Sequence, residues 1–247
     1  MKKILITGGP TVEPIDEVMK ITNFATGSLA VNLAEHFLSN GDFVCLVVNH
    51  VVNVQKIQEQ AKVKICWVET TEEMLQAIYE ESRLSDYDVV IHASAVGDYK
   101  AEFSFRMEDL AEELFKKQQE VGGFSNPEEI LAVMTAPGCK LNDNSKISSY
   151  QPNLAVKLGL TPKIISNFRA WFPKTKLIGC KLLENVPKEE LFQVATKLCV
   201  KNKVDYILAN DLADLRRGRS TRYVVDNSGF TGIELETPKE IFEFAIK

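Results

Sequence analysis

The residues best suited to chemistry in this 247-residue chain are Gly8 and Gly9, Asn23, Gly27, Gly97-Asp98, Gly179-Cys180-Lys181 and Asn210-Asp211. Most of them follow short apolar runs, and the loops after such strands gather at one edge of an open α/β sheet, where ligands bind. Glycines at a strand end leave backbone N–H groups able to face a phosphate. A helix beginning just after Gly27 adds the positive end of its dipole. Binding of a phosphorylated or nucleotide-like ligand is the chemistry this set suggests.

Several nucleotide signatures are missing. The dinucleotide fingerprint G-x-G-x-x-G needs its helix to start inside the motif, whereas Pro10, Glu13 and Pro14 interrupt any helix here. There is no Tyr-x-x-x-Lys pair of the short-chain reductase type and no G-x-x-x-x-G-K-[ST] phosphate loop. A long stretch from Pro10 to Thr26, carrying Glu13, Asp16 and Asn23, instead separates the glycine pair from the next helix. Such length is expected where a loop has a function of its own.

The elements that must position these residues follow from periodicity. Ile4-Leu5-Ile6 reads as a buried strand, and Phe43–Val48, Val63–Val68, Asp88–Ala93, Leu177–Cys180 and Asp205–Ala209 as further ones. Helices are expected from about Thr26 to Asn40, from a capping box at Thr70 and Glu73 to about Glu81, and from Pro187 to Asn202. A helix opening at Thr161-Pro162 is expected as well. Tyr223–Val225 and Phe230–Ile233 flank a hairpin turn, and Thr237-Pro238-Lys239-Glu240 starts a last helix. This alternation predicts a single α/β, Rossmann-like domain over 1–247: a mostly parallel sheet with helices on both faces, plus a C-terminal hairpin. The segment from about 101 to 144, with charged helices near 107–119 and 127–134, reads as an insertion, and the polar stretch 142–152 as a flap.

Composition narrows the partners. With 45% hydrophobic and 26% charged residues the chain has the make-up of an ordinary globular protein, and no apolar run approaches the ~20 residues of a membrane span. The short apolar run after Met1-Lys2-Lys3 does not make a signal-peptide core, so a cytoplasmic location is expected. A net charge of -5 argues against nucleic acid as a partner. Cys45, Cys66, Cys139, Cys180 and Cys199 form no C-x-x-C pair; Cys45, Cys66 and Cys180 lie in expected strands and read as small core hydrophobes, and His36, His50 and His92 share no metal-binding spacing.

Taken together, I-T-G-G-P-T-V-E-P-I-D (Ile6 to Asp16), I-T-N-F-A-T-G (Ile21 to Gly27), A-S-A-V-G-D-Y (Ala93 to Tyr99), K-I-S-S (Lys146 to Ser149), L-G-L-T-P-K-I-I (Leu158 to Ile165), I-G-C-K-L-L-E (Ile178 to Glu184) and I-L-A-N-D-L (Ile207 to Leu212) resemble phosphopantothenoylcysteine synthetases. The stand-alone short bacterial form is the most similar. The resemblance implies a dimeric ligase that activates 4′-phosphopantothenate with CTP to an acyl-cytidylate and then joins it to L-cysteine, assisted by Mg2+. The residues themselves do not distinguish CTP from ATP. By the same resemblance Asn23 holds the acyl-nucleotide and Lys146, at the first position of the flap motif, neutralises the triphosphate. Gly8, Gly9, Gly27, Asp98, Gly179, Lys181 and Asn210 become nucleotide-binding positions, and no metal ligands are assigned. Met19 stands where many members carry arginine, and Ser148 and Ser149 where they carry lysines. Two other readings stay open: a non-catalytic nucleotide-binding relative and an NAD(P)-linked reductase.

Overall fold

A computed structural model of the chain describes residues 1–141 and 146–247. In chain order, strand β1 (Lys3–Gly8) is followed by β2 (Val12–Pro14), β3 (Lys20–Thr22), helix α1 (Ser28–Ser39), β4 (Phe43–Val48), β5 (Val63–Trp67), α2 (Thr71–Leu84) and β6 (Val89–His92). Next come β7 (Tyr99–Arg106), α3 (Met107–Val121), α4 (Pro127–Thr135) and β8 (Leu154–Leu160). After a 3-10 turn at Ile164–Asn167, the chain continues as α5 (Phe168–Trp171), β9 (Lys176–Leu183), α6 (Lys188–Asn202), β10 (Tyr206–Asp211) and α7 (Leu212–Arg216). It closes with β11 (Arg222–Asp226), β12 (Gly229–Leu235) and α8 (Pro238–Ile246). These elements form two compact units, one from Met1–Thr11, Asn23–Val96 and Pro162–Lys247, the other from Val12–Thr22 and Gly97–Thr161.

The first unit is built on an eight-stranded sheet in the order β12-β11-β10-β9-β6-β1-β4-β5. β5, β4, β1, β6, β9 and β10 are parallel, and β11 and β12 add an antiparallel edge. This is the mostly parallel α/β arrangement the alternating pattern predicts. Ile4, Leu5 and Ile6 all have no solvent exposure because successive side chains enter opposite cores. Ile4 and Ile6 meet Leu33 and Phe37 of α1 and Ile241 of α8, whereas Leu5 joins Met74 and Ile78 of α2, Phe168 of α5 and Leu191 of α6. The chain steps outward from β1 through β4 to β5 and then returns to place β6 on the other side of β1, so the topological switch point lies between β1 and β6.

Local signals held at several ends. The Thr237 capping box is complete, with Glu240 and Thr237 bonded reciprocally. At α2 the Thr70 side chain accepts from the Glu73 N–H, but the Glu73 carboxylate accepts from the Glu69 N–H instead of closing the box. No regular helix starts at Pro162; the chain first makes the 3-10 turn that brings buried Ile164 and Phe168 onto the sheet. Among the described residues no helix is long and apolar enough to cross a membrane.

The second unit contains the antiparallel pairs β2–β3 and β7–β8, with α3 and α4. It is wider than the insertion expected over 101–144, and it takes in much of the stretch after Pro10 that reads as a loop. Strand β7 escapes a periodicity reading because its ladder shifts register between Ala101 and Phe103 and most of its residues are only half-buried. Leu110 is the buried residue of α3, and α4 has none, in keeping with the sparse apolar content of the segment. The part of the flap at 142–145 lies outside the described residues.

Gly8 is fixed by packing between β1 and α1. A methyl group at its Cα would lie 2.2 Å from the Ala30 Cβ, both on rigid elements. Gly8→Ala is therefore expected to cost about 2 kcal/mol, read as a lowered urea midpoint with an unchanged m-value. Gly138→Ala, where the nearest neighbour is 3.6 Å away, should leave the midpoint in place.

Candidate active site

The site begins where β1 ends. Past the sheet, the Ala93 N–H donates to the Thr7 carbonyl (3.2 Å), the Ala95 N–H to Gly9 (2.9 Å) and the Thr11 N–H to Ala95 (3.4 Å). These bonds zip the segment after β1 to the segment after β6 and hold the switch-point crevice in a fixed shape. Gly9 and Gly27 both take left-handed backbone, with φ of 75° and 72°. Each also abuts Val52: a side chain at Gly9 would come within 2.4 Å of its Cγ2, and one at Gly27 within 2.6 Å. Conformation and space thus both demand glycine at these two positions.

Val52 is held there by an Asn49 turn just past β4. The Asn49 Oδ1 accepts from the Val51 N–H, its carbonyl accepts from the Val52 N–H, and its Nδ2 donates to the Glu69 carbonyl. An asparagine directly after an apolar strand is a turn signal in the sequence, but its task of seating Val52 against two distant glycines is a tertiary one. Helix α1 opens directly after Gly27. Its first turn carries no acidic residue, and the Thr26 hydroxyl covers only the Ser28 N–H. This end suits an anionic group.

Asn23 lies exposed beside this turn. Its Nδ2 donates to the carbonyls of Ala95 (3.4 Å) and Val96 (3.2 Å). The donating end of the amide is therefore aimed at the segment after β6, and the side chain is oriented before any ligand arrives. Behind it, His92 at the end of β6 is buried, its Nδ1 2.7 Å from the Thr7 hydroxyl and its ring edge-on to Phe168. Burial pushes the His92 pKa down to about 4, so the ring is neutral near pH 7.

The other expected positions in this unit are spread along β9 and β10. Gly179 sits inside β9, opposite His92 and Ile207, and the space a side chain would need is filled by the Cδ1 atoms of Ile207 and Ile165 at 2.8 and 2.9 Å. Its place is a packing one, in contrast to the nucleotide-facing position the motif suggests. Lys181 is half-buried opposite Ala209, and Asn210 is buried opposite Leu182. Asp211, next along β10, accepts from the backbone N–H groups of Asn185, Val186 and Ala213, which hold its carboxyl below the usual range. The residues the structure gathers at the switch point are thus Gly8, Gly9, Asn23 and Gly27, together with Val52, Ala95 and Val96.

Residues 1–137 match the family described as DNA/pantothenate metabolism flavoprotein C-terminal domain. The chain belongs to that family. It is similar over its whole length to the DNA/pantothenate metabolism flavoprotein of Streptococcus pneumoniae, with 33% identity and a TM-score of 0.79, covering 97% of that chain. Over 211 residues it is 30% identical to the coenzyme A biosynthesis bifunctional protein CoaBC of Thermococcus kodakarensis, which takes in 85% of this chain. The chain spans 41% of the length of that curated relative. A Cab2 variant in complex with phosphopantothenate-cysteine shares the fold at 16% identity and a TM-score of 0.65, with 99% of this chain and 85% of that one covered.

The two remaining positions expected from the sequence, Asp98 and Lys146, lie in the second unit. Asp98 is exposed, and its carbonyl accepts from the Thr161 N–H; Lys146 is also exposed. Asp16 is the organising residue here. Its Oδ1 accepts from the N–H groups of Val18 (2.7 Å) and Met19 (2.6 Å), and its Oδ2 from Ile147 (2.8 Å). One carboxylate thereby shapes the β2–β3 turn and anchors the residue after Lys146. The backbone bonds from Met19, Ile147 and Val18 hold its pKa down, with Lys146 adding to them. Met19 contributes its main chain to this turn, its carbonyl accepting from the N–H groups of Ile15 and Asp16.

Proposed function

We propose that this chain is a phosphopantothenate–cysteine ligase of coenzyme A biosynthesis. The observation that carries the reading is the 30% identity over 211 residues with a coenzyme A biosynthesis bifunctional protein. The phosphopantothenate-cysteine bound by the structurally similar Cab2 variant supports it. In this reading a carboxylate oxygen of 4′-phosphopantothenate attacks the α-phosphorus of CTP, and pyrophosphate leaves. The amine of L-cysteine then attacks the acyl carbon, CMP leaves, and an amide forms.

Such a reaction joins anions, so positioning and charge stabilisation are its main demands. The Gly8-Gly9 turn and the uncapped first turn of α1 supply backbone N–H groups, and Asn23 supplies an oriented amide that adds no charge. Lys146 supplies a cation, and Asp16 positions the backbone next to it. Mg2+ finds no all-protein cage among the described residues: their only cluster of three potential ligands, Cys45, Cys66 and Glu81, is rich in sulfur and unsuited to it. A hard cation of this kind arrives with the nucleotide phosphates and keeps much of its water. Dimeric assembly in the cytoplasm completes the reading.

Incubation of the protein with CTP, Mg2+, 4′-phosphopantothenate and L-cysteine should release pyrophosphate and form the amide product. Release no faster than a protein-free control would refute the proposal. Substituting ATP for CTP in the same assay decides the nucleotide.

A further inference from the structure

A second chemical cluster lies at the other side of the parallel sheet from α1. Cys45 on β4 is in register with Lys64, and Cys66 on β5 with Val47. The two cysteines are thus diagonal neighbours on one face, with Sγ atoms 3.8 Å apart. Glu81, in the last turns of α2, places Oε1 4.0 Å from the Cys66 Sγ. Its Oε2 accepts from the Tyr87 hydroxyl at 2.6 Å, and Lys64 forms an ion pair with Oε1. The three ligand atoms lie within 4.8 Å of one another, the only such group of three among the described residues.

The dimensions fit a metal. Two thiolates on one tetrahedral Zn2+, each with a bond of about 2.3 Å, stand about 3.8 Å apart. A disulfide instead requires about 2.05 Å. In the metal-free protein the hydrogen bond between the two sulfurs, with burial, pushes the Cys45 thiol pKa well up and pulls that of Cys66 down, so a cation has to displace the Cys45 proton. Two thiolates and one carboxylate carry three negative charges, which a divalent cation and the Lys64 ammonium balance. The Tyr87 hydroxyl orients the carboxylate from behind, as outer-shell partners of metal ligands do.

We propose that Cys45, Cys66 and Glu81 form a site for a thiophilic divalent cation such as Zn2+, with the fourth position open to water. The site ties β4, β5 and α2 together and takes no part in the ligase chemistry, so it stands independently of that reading. Binding displaces the thiol protons of Cys45 and Cys66, which pass to solvent.

The test is titration of the reduced, metal-free full chain with Zn2+ against a chromophoric chelator. One equivalent should bind, with proton release, and Co2+ in its place should give a sulfur-to-metal charge-transfer band. Cys66→Ser, at a half-buried position, should abolish both signals. Tyr87→Phe should weaken binding by about 10–100-fold, and Cys139→Ser should change nothing. Circular dichroism establishes that each variant is folded. Absence of stoichiometric binding to the reduced protein, or equal binding by Cys66→Ser, overturns the proposal.

Discussion

Asn23→Ala is expected to lower pyrophosphate release by about 10²–10³-fold, the usual cost of removing one preoriented polar group from a site of developing charge. The folded state should hardly notice. Asn23 is exposed, and its two bonds to the Ala95 and Val96 carbonyls are at the long end of the hydrogen-bond range, so their loss costs about 1 kcal/mol or less. Initial rates with saturating CTP and cysteine, set beside a thermal melt of the same sample, separate the two effects. Asn23→Asp sharpens the test. It keeps the shape but brings a negative charge to a nucleotide, and its activity should be no higher than that of the alanine variant. Full turnover in Asn23→Ala would place the reacting groups elsewhere.

Stability is expected to fall by about 2 kcal/mol between neutral pH and pH 5, and by about 3 kcal/mol by pH 4, on account of His92 alone. The folded pKa of about 4 lies below the ordinary 6.5, so the unfolded chain takes up the proton first as the pH drops. Folding stability is therefore complete above 6.5, declines through the interval and levels off below the folded value. His92→Gln keeps a hydrogen-bonding group near the Thr7 hydroxyl but cannot titrate. Urea midpoints across this range should depend on pH less steeply in the variant than in the parent, by up to one proton. Parallel slopes would show that His92 is solvated at its ring and not buried between β6 and Phe168. The carboxylates of Asp16 and Asp211 have lowered pKa values, so their contributions are lost at lower pH still, and the comparison with His92→Gln cancels them.

Much of the architecture is short-range in origin and was legible in the residues. The apolar run Ile4-Leu5-Ile6 needs both faces covered, which already requires a parallel sheet between two helical layers. Thr237 and Glu240 cap α8 through contacts only three residues apart, and Asp226 to Gly229 turn a hairpin by their own backbone preferences. The ordered motifs from Ile6 to Leu212 carried the family resemblance for the same reason, since residue type and spacing are properties of the chain itself.

What the tertiary structure alone decided concerns contacts between distant residues. The stretch from Pro10 to Thr26 hides the β2–β3 pair, whose turn depends on Asp16 and whose carboxylate reaches Ile147, 131 positions away. Gly179 looks like a phosphate-facing glycine in its motif, yet the side chains of Ile165 and Ile207 occupy the space beside it. Cys45 and Cys66 read as ordinary core residues until the β4–β5 register sets them side by side under Glu81. The opening glycines gained the most from this. Gly8 and Gly9 mark a turn in any reading of the sequence, but it is Ala30 and Val52, brought in by helix α1 and the Asn49 turn, that forbid a side chain there. Strand register and close packing set these distances, and neither is a local property of the chain.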